Sequence, residues 1–381
     1  MTPPTTSARL RDRFATLDTS TYLVSHSMGA APLAAREALD AYWSQWAADG
    51  PEAWEIWLPQ IGAIADGIGA IVGAPAGSVF LGPNVSVLQA AIATCFDFRD
   101  ERNEVVYESL QFPSLTYVWN EWERFGAKVR VVASDDGRTI PTQRICASIT
   151  EKTAIAVLSH AYYVSGALAD VRTIQAHCRS VGAILCVDTY QTTGVVPYDV
   201  TDLDLDMATA GSHKWLCGGP GCGWIYVKPS LLERFRPAVT GWMAHAAPFA
   251  FEAAPIRFAA SMYRFGTGTP TIPGYIVAKP GHDLIREVGV ATIRAHNTRL
   301  TTALAEGALE RGLTVNTPLD PAKRGGWIGI DFEDSERVCR GLIAERVFVD
   351  YRPGCGIRVS PHVYTTDEEI ARFFAALDRL K

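Results

Sequence analysis

The chain has 381 residues, of which 48% are hydrophobic and 20% charged, enough to bury one large core and a smaller second one. A net charge of −6 and a pI near 5.8 give no basic footprint for nucleic acid, and no Lys/Arg block is interleaved with aromatics. Residues 1–14 lack an apolar signal core and no uninterrupted apolar stretch reaches the length of a membrane span, so a cytoplasmic protein acting on small molecules is expected.

Residues 36–72 read as two helices interrupted by Gly50-Pro51. From about residue 63 to residue 227, short β-branched runs alternate with helix-period segments, the pattern of βαβ units in a mostly parallel sheet. Strands are expected at 105–107, 129–132, 154–159, 183–187, 206–210 and 224–227, and helices at 113–125, 142–150 and 171–181. The C-terminal third changes character: a long helix at 288–311, a strand at 327–332, a helix at 337–345, and a last helix at 366–380 with Asp367-Glu368-Glu369 in its first turn. These elements predict an α/β fold with a large domain, its mostly parallel sheet sandwiched by helices, and a smaller C-terminal α+β domain. The expected division is an N-terminal segment 1–20, a large domain 21–265 and a small domain 266–381, with the boundary in the Gly/Pro-rich stretch 266–274. Eight cysteines without a CxxC pair, several inside apolar segments, read as buried free thiols rather than as disulfides or a metal site.

In such sheets a ligand sits off the carboxyl ends of the strands. Asp188 closes the apolar run Ala183-Ile184-Leu185-Cys186-Val187, and Lys214 follows the next strand in Ser212-His213-Lys214-Trp215. Either residue alone is ordinary, but an amine and a carboxylate at adjacent strand ends fit pyridoxal phosphate (PLP). The lysine forms a Schiff base with the aldehyde, and the carboxylate holds the pyridine nitrogen protonated. Asn84-Val85-Ser86 opens a helical pattern whose free N–H groups, with the Ser86 hydroxyl, make a phosphate seat. Phe112 follows a strand and is placed to cover a cofactor ring, His213 to donate to a phosphate oxygen, and Gln191 to reach the cofactor's phenolic oxygen. The run Gly218-Gly219-Pro220-Gly221-Cys222-Gly223 follows the lysine and precedes a strand, so it reads as a tight turn and not as a dinucleotide motif.

Four stretches carry a family resemblance: Phe112-Pro113-Ser114; Gly241-Trp242-Met243-Ala244-His245 with Pro248-Phe249-Ala250-Phe251-Glu252; Arg264-Phe265 leading to Gly268-Thr269-Pro270; and the Lys214 segment. From about residue 22 to the C-terminus the chain resembles the fold-type I PLP enzymes of the class V aminotransferase group, and within it kynureninases. The resemblance implies Lys214 as the Schiff-base lysine, Asp188 as the partner of the pyridine nitrogen, Phe112 on the ring, and Val85, Ser86 and His213 at the phosphate. It also implies a homodimer with shared active sites, in which Trp242 and Thr269 reach the phosphate of the neighbouring subunit's cofactor. Arg358 matches the arginine that clamps an amino-acid α-carboxylate. His26, in Ser25-His26-Ser27-Met28-Gly29, stands at a substrate-facing position.

Three positions depart from kynureninases: His213 replaces the usual tyrosine, Gln191 the usual histidine and His26 the usual asparagine. The implied reaction is hydrolytic Cβ–Cγ cleavage of an amino acid, releasing alanine and an aromatic acid. Alternatives are a class V aminotransferase, a cysteine lyase or desulfurase, an epimerase, or a catalytically silent binding protein of the same fold.

Overall fold

The computed structural model describes residues 10–253 and 255–381. The chain sets down β1 (Thr21–Tyr22), α1 (Leu33–Asp49) and α2 (Trp54–Val72), the two helices parted by a short 3-10 turn at Gly50–Ala53. On α2 the buried Trp57, Ile61, Ile64, Ala65 and Ile68 recur at helical spacing, so one face packs into the main core. Part of Leu33–Val72 is long and apolar enough by composition to cross a membrane, with mean hydropathy 1.2 over its best window. That face of α2 instead covers this chain's own sheet.

The main sheet is built from β2 (Val79–Gly82), β3 (Glu104–Glu108), β4 (Lys128–Val132), β5 (Thr153–Ser159), β6 (Ile184–Asp188), β7 (Met207–Gly211) and β8 (Gly223–Val227). Its order is β2-β8-β7-β6-β5-β3-β4, and β8 alone runs against the rest. Every residue of β3, β5, β6, β7 and β8 is buried, as expected for strands covered on both faces. The intervening helices are α3 (Val85–Ala93), α4 (Pro113–Asn120), α5 (Thr142–Ser148) and α6 (Val171–Val181). The last shows how the sequence sets its limits: Asp170 accepts from Thr173 N–H at the start, and Gly182 ends it at φ 73°.

Then come α7 (Ile272–Val288), α8 (Val290–Glu310), β9 (Thr314–Val315), β10 (Ile328–Asp331), α9 (Ser335–Ala344), β11 (Val347–Phe348), β12 (Asp350–Arg352), β13 (Gly356–Val359) and α10 (Asp367–Leu380). A four-stranded antiparallel sheet, β12-β13-β10-β9, packs with α8, α9 and α10 around Leu304, Ile330, Val338, Ile357 and Phe373. A capping box between Thr366 and Glu369 starts α10.

Two features depart from the expected layout. The N-terminal segment, whose first nine residues lie outside the described ones, is tied down: Leu10, Phe14 and Leu17 are buried beside Trp215 and Tyr364, and β1 pairs in parallel with β11. Helix α7 was not foreseen, because Pro273, Gly274, Pro280 and Gly281 mask its pattern. Both glycines are needed by contact. A Cβ on Gly274 would crowd the backbone of Gly221, and one on Gly281 would strike the backbone of Leu216 and Cys217. Ile272, Tyr275, Ile276 and Ala278 join the main core, whereas Leu284 and Ile285 join the Tyr364 cluster. Packing therefore changes partners within α7.

Candidate active site

Strand register assembles the site. Ser159 pairs with Asp188 across β5 and β6, and Asp188 with Thr209 across β6 and β7, so the carboxylate stands at the carboxyl ends of the central strands. Beyond these ends lies a cavity of about 210 Å³. One water needs only about 10–15 Å³ on such a measure, so the space takes a ligand of many atoms. Val85, Ser86, Phe112, Asp188, Gln191, His213 and Lys214, each expected to bind the cofactor, all line it, together with Ser159, Tyr163 and Tyr190, which were not foreseen.

Lys214 has no hydrogen-bond acceptor among the described residues; its Nζ lies 4.7 Å from the Tyr190 ring centroid and 5.5 Å from that of Phe112. Burial pushes the amine down to about 8, with Asp188 opposing the shift and Arg358 adding to it. Asp188 is 6% exposed, and burial pushes its carboxyl up to about 6 against the pull of the Tyr190 N–H and Lys214. Its Oδ1 accepts from Tyr190 N–H at 2.8 Å, and its other oxygen has no protein donor among the described residues. At the opposite wall Asn84 caps α3 by accepting from Val87 N–H. The N–H groups of Val85 and Ser86 are left without intrahelical partners. Gly223 lets β8 run against this cap, since a Cβ there would crowd the Asn84 backbone. An amine without an acceptor, a carboxylate with one open oxygen and a helix start with open N–H groups are the donor set that a phosphorylated pyridine aldehyde requires.

Other expected residues lie elsewhere. Gln191 reaches the cavity wall, but its amide donates to the His26 carbonyl at 3.1 Å and accepts from the Trp215 indole at 3.4 Å. His26 is fully buried and does not line the cavity: Nδ1 meets Ser360 Oγ at 2.7 Å and Nε2 meets Asp350 Oδ1 at 2.8 Å. Arg358, 3% exposed, sits behind the Tyr163 wall. Its Nε and Nη2 donate to the two oxygens of Asp350 at 2.8 and 2.5 Å, and its Nη1 to the Tyr163 carbonyl at 2.9 Å. Burial works against the charged form of Asp350, yet the hydrogen bonds from His26 and Arg358, with the Arg358 charge, hold its carboxyl well below the usual range. Burial and the neighbouring Arg358 push His26 down to about 4, so it is neutral at physiological pH. Trp242 lies in a separate recess with His245, Pro248 and Phe251, and Thr269 in another beside Pro83 and Val87.

Glu108, at the end of β3, is also new. Its Oε1 accepts from Ser159 N–H at 2.8 Å while its buried Oε2 has no partner among the described residues. Burial pushes this carboxyl up to about 7, and the charge of Asp188 adds to the rise. A raised acid keeps its proton in the folded state between its unfolded value of 4.5 and 7, so stability is lost as pH rises through that window, by about 3 kcal/mol in all. Urea denaturation of wild type and Glu108→Gln at pH 5 and pH 8 checks this: the change in stability between the two pH values is expected to differ by about 2–3 kcal/mol between the two proteins, and an identical change in both would exclude the Glu108 contribution.

Helices on both faces of a mostly parallel sheet, with lysine and carboxylate at adjacent strand ends, define a fold-type I PLP enzyme. The chain belongs to the aminotransferase class-V family, whose profile it matches over residues 84–373. Its cofactor is pyridoxal 5′-phosphate. It is 28% identical to an uncharacterized aminotransferase of Bacillus subtilis over 363 residues, covering 94% of each chain. It is also 28% identical to the kynureninase of Pseudomonas fluorescens over 382 residues, covering 95% of this chain and 89% of that one. Among solved structures it is similar to the apo cysteine desulfurase of Thermococcus onnurineus, with a TM-score of 0.87, 18% identity, and coverage of 100% of this chain and 99% of that one.

Proposed function

We propose that this enzyme hydrolyses the Cβ–Cγ bond of a kynurenine-type amino acid: one water is consumed, its oxygen goes to the aromatic carboxylic acid and the three-carbon fragment leaves as alanine. The observation that carries this reading is the aromatic lining of the cavity, to which Phe112, Tyr163 and Tyr190 contribute, with the Phe112 and Tyr190 rings nearest the Lys214 amine. The 28% identity to a kynureninase along almost the whole chain supports it.

The bound cofactor supplies an aldehyde for the lysine and a ring that stores an electron pair. This chain's residues do the rest. Lys214, with its pKa pulled toward neutrality, would hold the cofactor and would serve as the general base for the substrate α-proton. Asp188 would accept a hydrogen bond from the protonated ring nitrogen and keep that proton in place. Val85, Ser86 and His213 hold the phosphate. Arg358 has five N–H donors, of which Asp350 and Tyr163 engage three. The remaining two, one on each terminal nitrogen, anchor the substrate α-carboxylate, while His26 acts from behind by holding Asp350. Trp242 and Thr269, outside their own chain's cavity, serve the partner subunit of a homodimer.

A desulfurase reading needs an accessible thiolate. Six of the eight cysteines are buried and two half-buried, and burial raises the thiol pKa of all eight. The holoenzyme is expected to release alanine and an anthranilate-type acid in equal amounts from kynurenine or 3-hydroxykynurenine. Silence on both substrates, with sulfide from cysteine or pyridoxamine formation with a 2-oxo acid, would replace this reading.

A further inference from the structure

We propose that Tyr190 is a positioning residue that fixes the tautomer of His213, so that His213 offers a ring N–H as a donor to the cofactor's phosphate. The proposal rests on His213 as a phosphate ligand and adds what makes it a donor.

Tyr190 leaves the end of β6 two residues after Asp188, and its backbone N–H holds that carboxylate at 2.8 Å. Its ring then crosses beneath Lys214, and its hydroxyl ends 3.3 Å from His213 Nδ1, with the two ring centroids 5.2 Å apart. The route is built into the sheet. Gly211, the last residue of β7, leaves the space the phenol occupies, and a Cβ there would overlap the Tyr190 hydroxyl.

Both ends of the hydrogen bond are neutral, and its direction follows from the partners each end has. Burial raises the phenol further above its ordinary value, with the Asp188 charge adding to it, so Tyr190 keeps its proton. Burial and the nearby Lys214 push His213 down to about 4, so the imidazole is neutral. His213 Nδ1 is the one hydrogen-bond partner of the Tyr190 hydroxyl among the described residues, so the phenol proton is paired only if it is donated to Nδ1, and the imidazole proton then resides on Nε2. An imidazole free to take the other tautomer would present a lone pair to a phosphate oxygen, which repels it.

The test compares wild type, Tyr190→Phe, His213→Asn and the double variant as holoenzymes. With 15N-labelled histidine, wild-type His213 is expected to show the Nε2–H tautomer and Tyr190→Phe a mixture. Retention of pyridoxal phosphate on dilution is expected to weaken about five- to tenfold in Tyr190→Phe, roughly one hydrogen bond's worth. In the His213→Asn background, removing the hydroxyl should add nothing further. An unchanged His213 tautomer in Tyr190→Phe, or additive losses in the double variant, would overturn the proposal. Normal cofactor retention in His213→Asn would instead overturn the phosphate reading beneath it, with the tautomer measurement still standing on its own.

Discussion

Lys214→Ala is expected to abolish the visible absorbance of lysine-bound cofactor and to lower turnover by ~10⁴-fold or more, because one side chain is both attachment point and base. Folding should survive. The amine has no hydrogen-bond acceptor among the described residues, and burial disfavours its charge, so its removal leaves no buried partner stranded. A spectrum and circular dichroism on the same sample separate the two effects. Loss of folding along with the absorbance would show that Lys214 holds the loop together rather than the cofactor.

Asp350→Ala is expected to have the second largest effect, on stability and substrate affinity together. It takes away the carboxylate that binds both Arg358 and His26, with side-chain exposures of 4% for Arg358 and 15% for Asp350. A guanidinium left buried without its partner costs about 3–5 kcal/mol. Denaturant unfolding should show most of that loss, while Asp350→Asn, which keeps an acceptor in place, should lose less. In steady-state assays KM should rise at least about tenfold with a smaller change in kcat, since the anchor binds substrate without reacting. Unaltered unfolding energy in Asp350→Ala would contradict the arrangement of Arg358 described above.

The central sheet was legible because its strands are buried on both faces and read as continuous apolar runs between helix-period segments. All six expected strands from residue 105 to 227 form, and with them come the positions of Asp188 and Lys214. The glycines of α7 hid a helix, since a residue chosen for close contact with Gly221 and Leu216 also lowers helix propensity. Strands of two or three residues such as β11 and β12 carry no period to detect, so Asp350 escaped notice although it organises Arg358 and His26. Tyr190 was hidden differently. Its place in the loop after β6 was plain, but only the packing of its hydroxyl past Gly211 brings it to His213. Likewise Gln191 sat at the expected position, yet its amide is engaged by the His26 carbonyl and the Trp215 indole.

The most direct test is to reduce the purified holoenzyme with borohydride, which fixes a lysine–pyridoxal bond, and to map the modified peptide by mass spectrometry. A single phosphopyridoxyl adduct on Lys214, lost in Lys214→Ala, is the expected result. An adduct on another lysine, or none in protein that carries the cofactor, would contradict it.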